Sequence, residues 1–479
     1  MRVAVIGAGA SGIAAVIKLR EMGIQDITIF EKASDLGGTW RDNIYPGLTC
    51  DVPSHLYRYS FEPNPNWTRR YADGFEILTY LRSVATKYDV EKVIRYESEV
   101  TRAQFLDGQW LIETVKGNEG LFDAVITAVG ILHHPVYPKI DGLDEFGGSA
   151  FHSARWNKDV SLKGKRVGII GTGSTALQIL PAIVNDVAKV SLFQRTAQWV
   201  MLEPNPEIPE EKRLQYSENP ESLQAYYAIL TQRFNDAFCS AVAGENPAAY
   251  EEIVRNCQEN LAKNVYDPAL REKLTPNYKV GCKRLVVSNA FYPAIQRSNA
   301  ELVTDNIIGC EKEGLRTADG RLHPLDCLIF ATGFDAHRFF KPMQVIGRHG
   351  KTLDDAWSRG NYAYRAIAIP DFPNWFMIGG PNSPIGNFSF LMTAERQLEY
   401  IMQLLRLLQS GKAREISPAG EATAIFNNEI KSSMEGSIWA SGCRSWYLDK
   451  NGNVASWPWS YARFEAGMRS PALEDFVVV

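Results

Sequence analysis

Short apolar runs that end in glycine-rich turns are the clearest pattern along the chain. Residues 3–6 lead into Gly7-x-Gly9-x-x-Gly12, and residues 167–170 lead into Gly171-x-Gly173-x-x-Ala176. A helical pattern follows each turn. Buried parallel strands read as short apolar runs, and this glycine spacing lets a turn approach a pyrophosphate closely. The sequence therefore predicts two strand–turn–helix units that bind dinucleotides.

The residue that follows the second strand of each unit differs in charge. In the first unit residues 27–30 end at Glu31, whose carboxylate can accept hydrogen bonds from free ribose hydroxyls. In the second unit residues 190–193 end at Gln194-Arg195. A guanidinium binds a 2′-phosphate that a carboxylate would repel. This difference predicts FAD (or NAD) on the first unit and NADPH on the second.

The fold class predicted from this order is α/β, with two Rossmann-like dinucleotide-binding domains for FAD and NADPH. Charged, helix-favouring sequence at about 202–276 predicts a helical insertion in the NADPH domain. The buried run 327–330 is interpreted as a return to the first domain, and an amphipathic helix is predicted at about 393–408. The predicted domains are 1–140 (FAD-binding, first part), 141–163 (linker), 164–325 (NADPH-binding) and 326–479 (FAD-binding, second part, with the C-terminal region).

Composition narrows the class of protein. The 479 residues are 45% hydrophobic with a net charge of −4, which is typical of a globular chain and gives no basic surface for nucleic acid. No apolar run reaches the ~18 to 20 residues of a membrane span. The apolar stretch 3–17 contains the first glycine turn, so we interpret it as strand and helix rather than a secretory signal. A cytoplasmic location without membrane partners is the resulting prediction.

The seven cysteines are odd in number and form no C-x-x-C pair. This argues against a disulfide framework and against the paired-cysteine redox site of disulfide reductases. The cysteines are predicted to be small buried apolar residues. His152 has no companions at metal-ligand spacing, so no metal site is predicted.

A longer motif joins the two units. Phe146, Gly148, His152 and Trp156 match the pattern F-x-G-x-x-x-H-x-x-x-W. The segment resembles the fingerprint of class B flavoprotein monooxygenases and specifically of type I Baeyer-Villiger monooxygenases. Trp156 favours that branch, because related N- and S-oxygenases tend to have Tyr or Phe there. The family pattern continues with Pro or Asp at the next position, where this chain has Asn157 instead.

Further family patterns extend the resemblance over most of the chain. G-G-x-W occurs at 37–40, Y-P-G at 45–47, C-D at 50–51 and W-x-S-G-C-x-S-W-Y at 439–447. The helical insertion is the segment that matches least. The aromatic cluster Trp439, Trp446, Trp457 and Trp459 is either core packing or an apolar wall over the active site.

The resemblance implies an enzyme in which NADPH reduces FAD and a C4a-peroxyflavin attacks a ketone to give an ester or lactone. It implies Arg284 as the catalytic cation, Asp51 as its partner, and Lys283 beside Arg195 on the 2′-phosphate. His152 is expected to anchor the linker. The glycine turns and the resemblance together imply these cofactor-binding residues: Gly7, Gly9, Ser11, Gly12, Glu31, Thr39, Trp40, Asp51, Tyr57, Val100, Gly171, Gly173, Ser174, Thr175, Ala176, Gln194, Arg195, Lys283, Arg284, Phe388 and Trp446.

Three alternatives keep parts of this interpretation. A flavin-containing N- or S-monooxygenase would use the same cofactors through a hydroperoxyflavin. An NADPH oxidase or disulfide reductase would lack oxygenation, and the missing cysteine pair argues against the reductase. A nucleotide-binding regulatory protein without turnover would leave Arg284 without a role.

Overall fold

The computed structural model describes residues 1–386, 388–435, 437–443, 445–449, 451–452 and 455–479. Two parallel sheets with flanking helices form a mixed α/β fold. The predicted fold class is confirmed.

The strands carry the two nucleotide turns and several smaller sheets. They are β1 (Val3–Ile6), β2 (Ile27–Phe30), β3 (Ile94–Arg95), β4 (Val100–Leu106), β5 (Gln109–Thr114), β6 (Gly117–Phe122), β7 (Ala124–Thr127), β8 (Ser149–His152), β9 (Arg166–Ile170), β10 (Lys189–Phe193), β11 (Val200–Met201), β12 (Val286–Val287), β13 (Ala300–Val303), β14 (Ile307–Glu311), β15 (Gly314–Thr317), β16 (Leu322–Pro324), β17 (Cys327–Phe330), β18 (Gln344–Ile346), β19 (Trp375–Met377), β20 (Ile416–Pro418) and β21 (Phe476–Val478).

The helices follow the glycine turns, fill the insertion and cover the first sheet. They are α1 (Ala10–Glu21), α2 (Thr39–Asp42), α3 (Gly74–Lys87), α4 (Ser174–Ile183), α5 (Glu210–Glu218), α6 (Pro220–Arg233), α7 (Ser240–Val242), α8 (Pro247–Asn264), α9 (Pro268–Leu274), α10 (Phe291–Ile295), α11 (Leu353–Ala356), α12 (Phe390–Gln409), α13 (Gly420–Ser433) and α14 (Tyr461–Met468). A π-helical stretch at Phe234–Cys239 joins α6 to α7.

The first sheet has the order β19-β7-β1-β2-β3, and all its pairs are parallel. Every residue of β1, β2 and β7 is buried, which explains their apolar sequences. Helix α12, at 390–409, contains the predicted 393–408 helix and packs against α1. The first strand–turn–helix unit therefore forms as predicted.

The second sheet has the order β13-β10-β9-β17-β8 and is also parallel. The predicted return to the first domain at 327–330 is wrong, because β17 pairs with β9 and β8 of this sheet. A short apolar strand that precedes small residues fits either sheet equally. The sequence of 327–330 therefore does not determine which sheet this strand joins. Strand β19 joins the first sheet instead. The remaining domain boundaries stay predictions.

Helices α5 to α9 lie within the predicted insertion, and they contact the first domain as well as the second. Arg58 is fully buried, and its Nη2 donates to Oε1 of Gln224 on α6 at 3.3 Å. The ring of His55 packs edge-on against Tyr216 and Tyr226, at centroid distances of 5.1 and 5.5 Å. The insertion therefore bridges the two halves of the fold.

Candidate active site

A cavity of about 1070 Å³ lies between the glycine turns of the two sheets. Parallel strands present their carboxyl ends there, which is where such sheets bind nucleotides. All the predicted cofactor-binding residues line this cavity except Gly12 and Ala176, which pack behind the turns. The fold thus brings together residues from both nucleotide units and from the C-terminal region.

The first turn leaves room only for glycine at positions 7 and 12, and the helix that follows it begins with polar groups that have no partner within the residues that the structure describes. Gly7 has φ +104°, and a Cβ there would lie 2.7 Å from the Ala128 carbonyl oxygen. A Cβ on Gly12 would lie 1.9 Å from the Gly7 oxygen. Helix α1 begins after Gly9 without a side-chain cap, and the buried hydroxyl of Ser11 has no partner among the described residues. Free donors at a helix N-terminus fit the pyrophosphate of FAD.

Glu31 is held at the end of β2 by main-chain donors. One carboxylate oxygen accepts from the Ala8 N–H at 2.9 Å, and the other accepts from Ala33 N–H at 2.9 Å and from Arg41 Nη1 at 3.1 Å. Sequence reasoning missed Arg41, since nothing in its spacing marks it. The fixed carboxylate fits the ribose of FAD.

The second turn repeats this geometry. Gly171 has φ +113°, and a Cβ there would lie 2.3 Å from the Ala331 oxygen. Gln194 turns into the protein, where its amide donates to the Lys273 carbonyl oxygen at 2.6 Å. The following residue, Arg195, is exposed at the cavity wall.

Two cations, Arg195 and Lys283, lie near each other at the cavity wall beside this turn. Burial lowers the pKa of Lys283, and the positive charge of Arg195 lowers it further. Within the described part of the chain, neither side chain has a carboxylate at ion-pair distance. A pair of uncompensated cations fits the 2′-phosphate of NADPH.

Arg284 and Asp51 form an ion pair in the cavity wall although 233 positions separate them. Nη2 and Nε of Arg284 lie 2.5 and 3.1 Å from the same oxygen of Asp51, and Nη1 donates to the Gly386 carbonyl oxygen at 3.0 Å. Burial alone would lower the pKa of Arg284, but the charge of Asp51 and contact with Tyr447 outweigh it and raise that pKa. The guanidinium is therefore charged and fixed in direction.

Aromatic side chains form much of the apolar wall. Trp40 donates through Nε1 to the Tyr57 hydroxyl at 3.3 Å, and their rings meet edge-on. Phe388 and Trp446 line the cavity too, and the Trp446 ring lies 4.3 Å from that of Tyr447. The tryptophan cluster, for which the sequence left core packing and an active-site wall as alternatives, has both roles. Trp446 lines the cavity, whereas Trp439, Trp457 and Trp459 are buried in the core.

None of the four fingerprint residues is among those that line the cavity. His152 is fully buried, its Nδ1 accepts from the Ala154 N–H at 3.1 Å, and its Nε2 lies 3.1 Å from the Gly333 oxygen. These partners require a neutral ring with the proton on Nε2. Gly333 does line the cavity, so His152 fixes a segment of the wall without reaching into it.

Acid is expected to destabilise the protein through its buried histidines. Burial lowers the pKa of His152 and that of His55 from 6.5 to about 4. Unfolding exposes neutral rings that then bind protons, so stability is full above about pH 6.5 and falls as the pH drops towards about 4. Thermal unfolding across this range should show the fall, and His152→Asn should make it shallower. An unchanged slope in that variant would contradict the assignment, and the exposed His349→Asn serves as control.

The expectation for the cysteines is wrong for one pair. Cys282 and Cys443 form a disulfide across 161 positions, whereas Cys50, Cys239, Cys257, Cys310 and Cys327 are buried, as expected. No short sequence motif can indicate a pair so far apart in the chain. Neither bonded cysteine lines the cavity. The bond instead ties the residue before Lys283 to the segment that carries Trp446.

Cys443→Ser is expected to lower the free energy of unfolding by roughly 2–4 kcal/mol, because the bond restricts a long loop in the unfolded chain. The measurement is chemical denaturation with and without a thiol reductant. The wild type should lose the same stability on reduction, and Cys310→Ser should respond to the reductant as the wild type does. If the denaturation curve of the wild type were the same with and without the reductant, the disulfide would be contradicted.

The fold and the paired turns define a protein that binds two dinucleotides at one cavity. A family model described as flavin-binding monooxygenase-like matches residues 1–346. The chain belongs to this family. It is 45% identical over 474 residues to an uncharacterized monooxygenase of Mycobacterium bovis, covering 99% of this chain and 95% of the relative. It is 38% identical over 484 residues to a Baeyer-Villiger monooxygenase of Streptomyces coelicolor, covering 100% and 93%.

Solved structures agree with these relatives. An oxidized steroid monooxygenase bound to NADP superposes with a TM-score of 0.89 at 30% identity, covering 100% of this chain and 99% of the other. A complex of OTEMO with FAD and NADP has a TM-score of 0.89 at 25% identity and the same coverage. The predicted family, the class of flavin monooxygenase of the Baeyer-Villiger type, and the cofactors FAD and NADPH are confirmed.

Proposed function

We propose that the chain uses NADPH and O2 to insert one oxygen atom beside the carbonyl group of a small-molecule ketone, giving an ester or lactone. The observation that carries the proposal is the fixed guanidinium of Arg284 in the wall of a cavity shared by both nucleotide turns. An arginine keeps its proton, and a preoriented cation stabilises negative charge that develops on oxygen.

Bound FAD would supply electron transfer from NADPH and the activation of O2. The first glycine turn and Glu31 would hold its pyrophosphate and ribose, and Arg195 with Lys283 would hold the 2′-phosphate of NADPH. Asp51 would keep Arg284 in one orientation, because both guanidinium contacts end on the same carboxylate oxygen. These residue roles are part of the proposal.

The aromatic wall has a function in this reaction. Trp40, Tyr57, Phe388 and Trp446 give an apolar surface to the cavity that Arg284 also lines. Excluding water strengthens the electrostatic effect of the guanidinium and protects reactive species from side reactions. The same wall would accept the apolar part of a ketone.

The proposal includes a cytoplasmic location. Within the described residues, we find no helix with the length and apolar character needed to cross a bilayer.

The test is a product assay with the purified FAD-loaded enzyme. Cyclic, aliphatic and aryl ketones and one thioether are supplied with NADPH and O2, and products are identified by mass. We expect at least one ketone to give an ester or lactone. Sulfoxide from the thioether without any ester would favour the N- or S-oxygenase, and NADPH consumption without any oxygenated product would favour an oxidase.

A further inference from the structure

We propose that Gln178 is a positioning residue that fixes the loop carrying Asp51 against the second nucleotide domain. We call residues 45–51 the Asp51 loop. The Gln178 amide donates to the Thr49 carbonyl oxygen at 3.0 Å and to the Thr49 hydroxyl at 3.2 Å, and its oxygen accepts from the Tyr45 hydroxyl at 2.9 Å. One side chain thus holds the loop at two points. The inference rests on the proposed function of Asp51.

Main-chain packing supports these hydrogen bonds. Gly47, between the two points, has φ +81°, and a Cβ there would lie 2.4 Å from the Gln178 carbonyl oxygen and 3.0 Å from the Ala182 Cβ. The loop backbone therefore lies directly on α4. A residue other than glycine would push the loop away from the helix and break the Gln178 contacts.

The position of Gln178 in α4 connects this contact with the second nucleotide turn. Helix α4 begins at Ser174, and Gln178 lies four residues later, on the same face. Ser174, Thr175 and Gln178 all line the cavity. The helix end that would receive the pyrophosphate of NADPH therefore also holds the Asp51 loop.

The other side of the loop is attached to the first domain. The Cys50 N–H donates to the Ala72 oxygen at 2.9 Å, and the Gly74 N–H donates to the Leu48 oxygen at 3.2 Å. The Asp51 loop is thus fixed between two domains, and Gln178 supplies side-chain bonds on the second-domain side. Its role is to keep Asp51 in register with Arg284, since a displacement of about 1 Å can cost roughly 10²-fold in rate.

Gln178→Leu tests this role, because it keeps a side chain of comparable bulk and removes every amide hydrogen bond. We expect kcat for ester formation to fall about tenfold or more, by loss of alignment. The KM for NADPH should stay within about twofold, since Arg195 and Lys283 do not touch Gln178. Tyr45→Phe removes one of the bonds and should give a smaller fall in kcat.

A second measurement does not depend on turnover. NADP⁺ is titrated into the FAD-loaded protein, and the change in the visible flavin spectrum is recorded. The change should be smaller in Gln178→Leu than in the wild type, because the Asp51 loop no longer follows α4. If the wild type forms no ester, the proposed function fails, and this titration still decides the role of Gln178.

Gln296→Leu is the matched control. Gln296 belongs to the same half of the fold and donates to the carbonyl oxygens of Asn264 and Tyr292 at 2.6 and 2.8 Å. It should leave kcat and the spectral change at wild-type values. The proposal is overturned if Gln178→Leu has a wild-type kcat and spectrum. It is also overturned if the two variants lose kcat equally and in proportion to their loss of thermal stability.

Discussion

Arg284→Ala is expected to abolish ester formation while the protein still binds FAD. The guanidinium has the Asp51 carboxylate and the Gly386 carbonyl oxygen as its partners. Its removal leaves a negative charge in the cavity wall where a positive one is required, and losing a preorganised stabilising group costs about 10²–10³ in kcat. We expect at least that loss here, because the Asp51 carboxylate also loses its cationic partner.

The measurement is product formation per FAD under saturating NADPH, with flavin content read from the absorbance spectrum. Arg284→Lys should give an intermediate rate, since an ammonium keeps the charge and loses the planar set of donors. Arg297→Ala is the control, because Arg297 is an exposed residue of the same half of the fold that donates to Asn185. Unimpaired ester formation in Arg284→Ala would remove Arg284 from the reaction.

Removing the two cations at the second turn is expected to abolish the preference for NADPH over NADH. Arg195 and Lys283 lie close enough for the charge of one to lower the pKa of the other. A phosphate between them would relieve that repulsion and form charge-assisted hydrogen bonds, each contributing about 1.5–3 kcal/mol. The double variant R195A/K283A should therefore lose about 10²-fold or more in kcat/KM for NADPH.

The same variant should use NADH with a kcat/KM within about threefold of the wild type, because NADH has no 2′-phosphate for these cations to bind. Lys189→Ala is the control. Lys189 starts the strand that ends before Arg195, and it pairs with Glu301. It should leave both kcat/KM values unchanged. An equal loss with NADPH and NADH would contradict the assignment of the phosphate site.

The parts of the site that sequence predicts well are those set by neighbouring residues. Gly7 and Gly171 adopt positive φ values under carbonyl oxygens, and the adjoining strands place Glu31 and Arg195. Local sterics and strand burial decide these features, so a short stretch of sequence contains the information.

Contacts between segments that lie far apart in the sequence cannot be predicted from local patterns. Only the family resemblance indicates the ion pair of Asp51 with Arg284. The Gly386 acceptor is a backbone oxygen, and no residue type in the sequence can indicate its role. The disulfide of Cys282 with Cys443 spans 161 positions, so the local sequence around either cysteine does not indicate it. The apolar pattern of β17 predicts a buried strand but not its sheet, because burial on both faces gives the same pattern in either one.

The most direct test of the account is the origin of the inserted oxygen atom. The FAD-loaded enzyme is supplied with NADPH, a ketone that it accepts and isotopically labelled O2, and the product mass is measured. The account predicts an ester or lactone that contains one labelled atom per molecule, with none incorporated by Arg284→Ala. An unlabelled product, or NADPH oxidation that never yields an oxygenated ketone product, would contradict it.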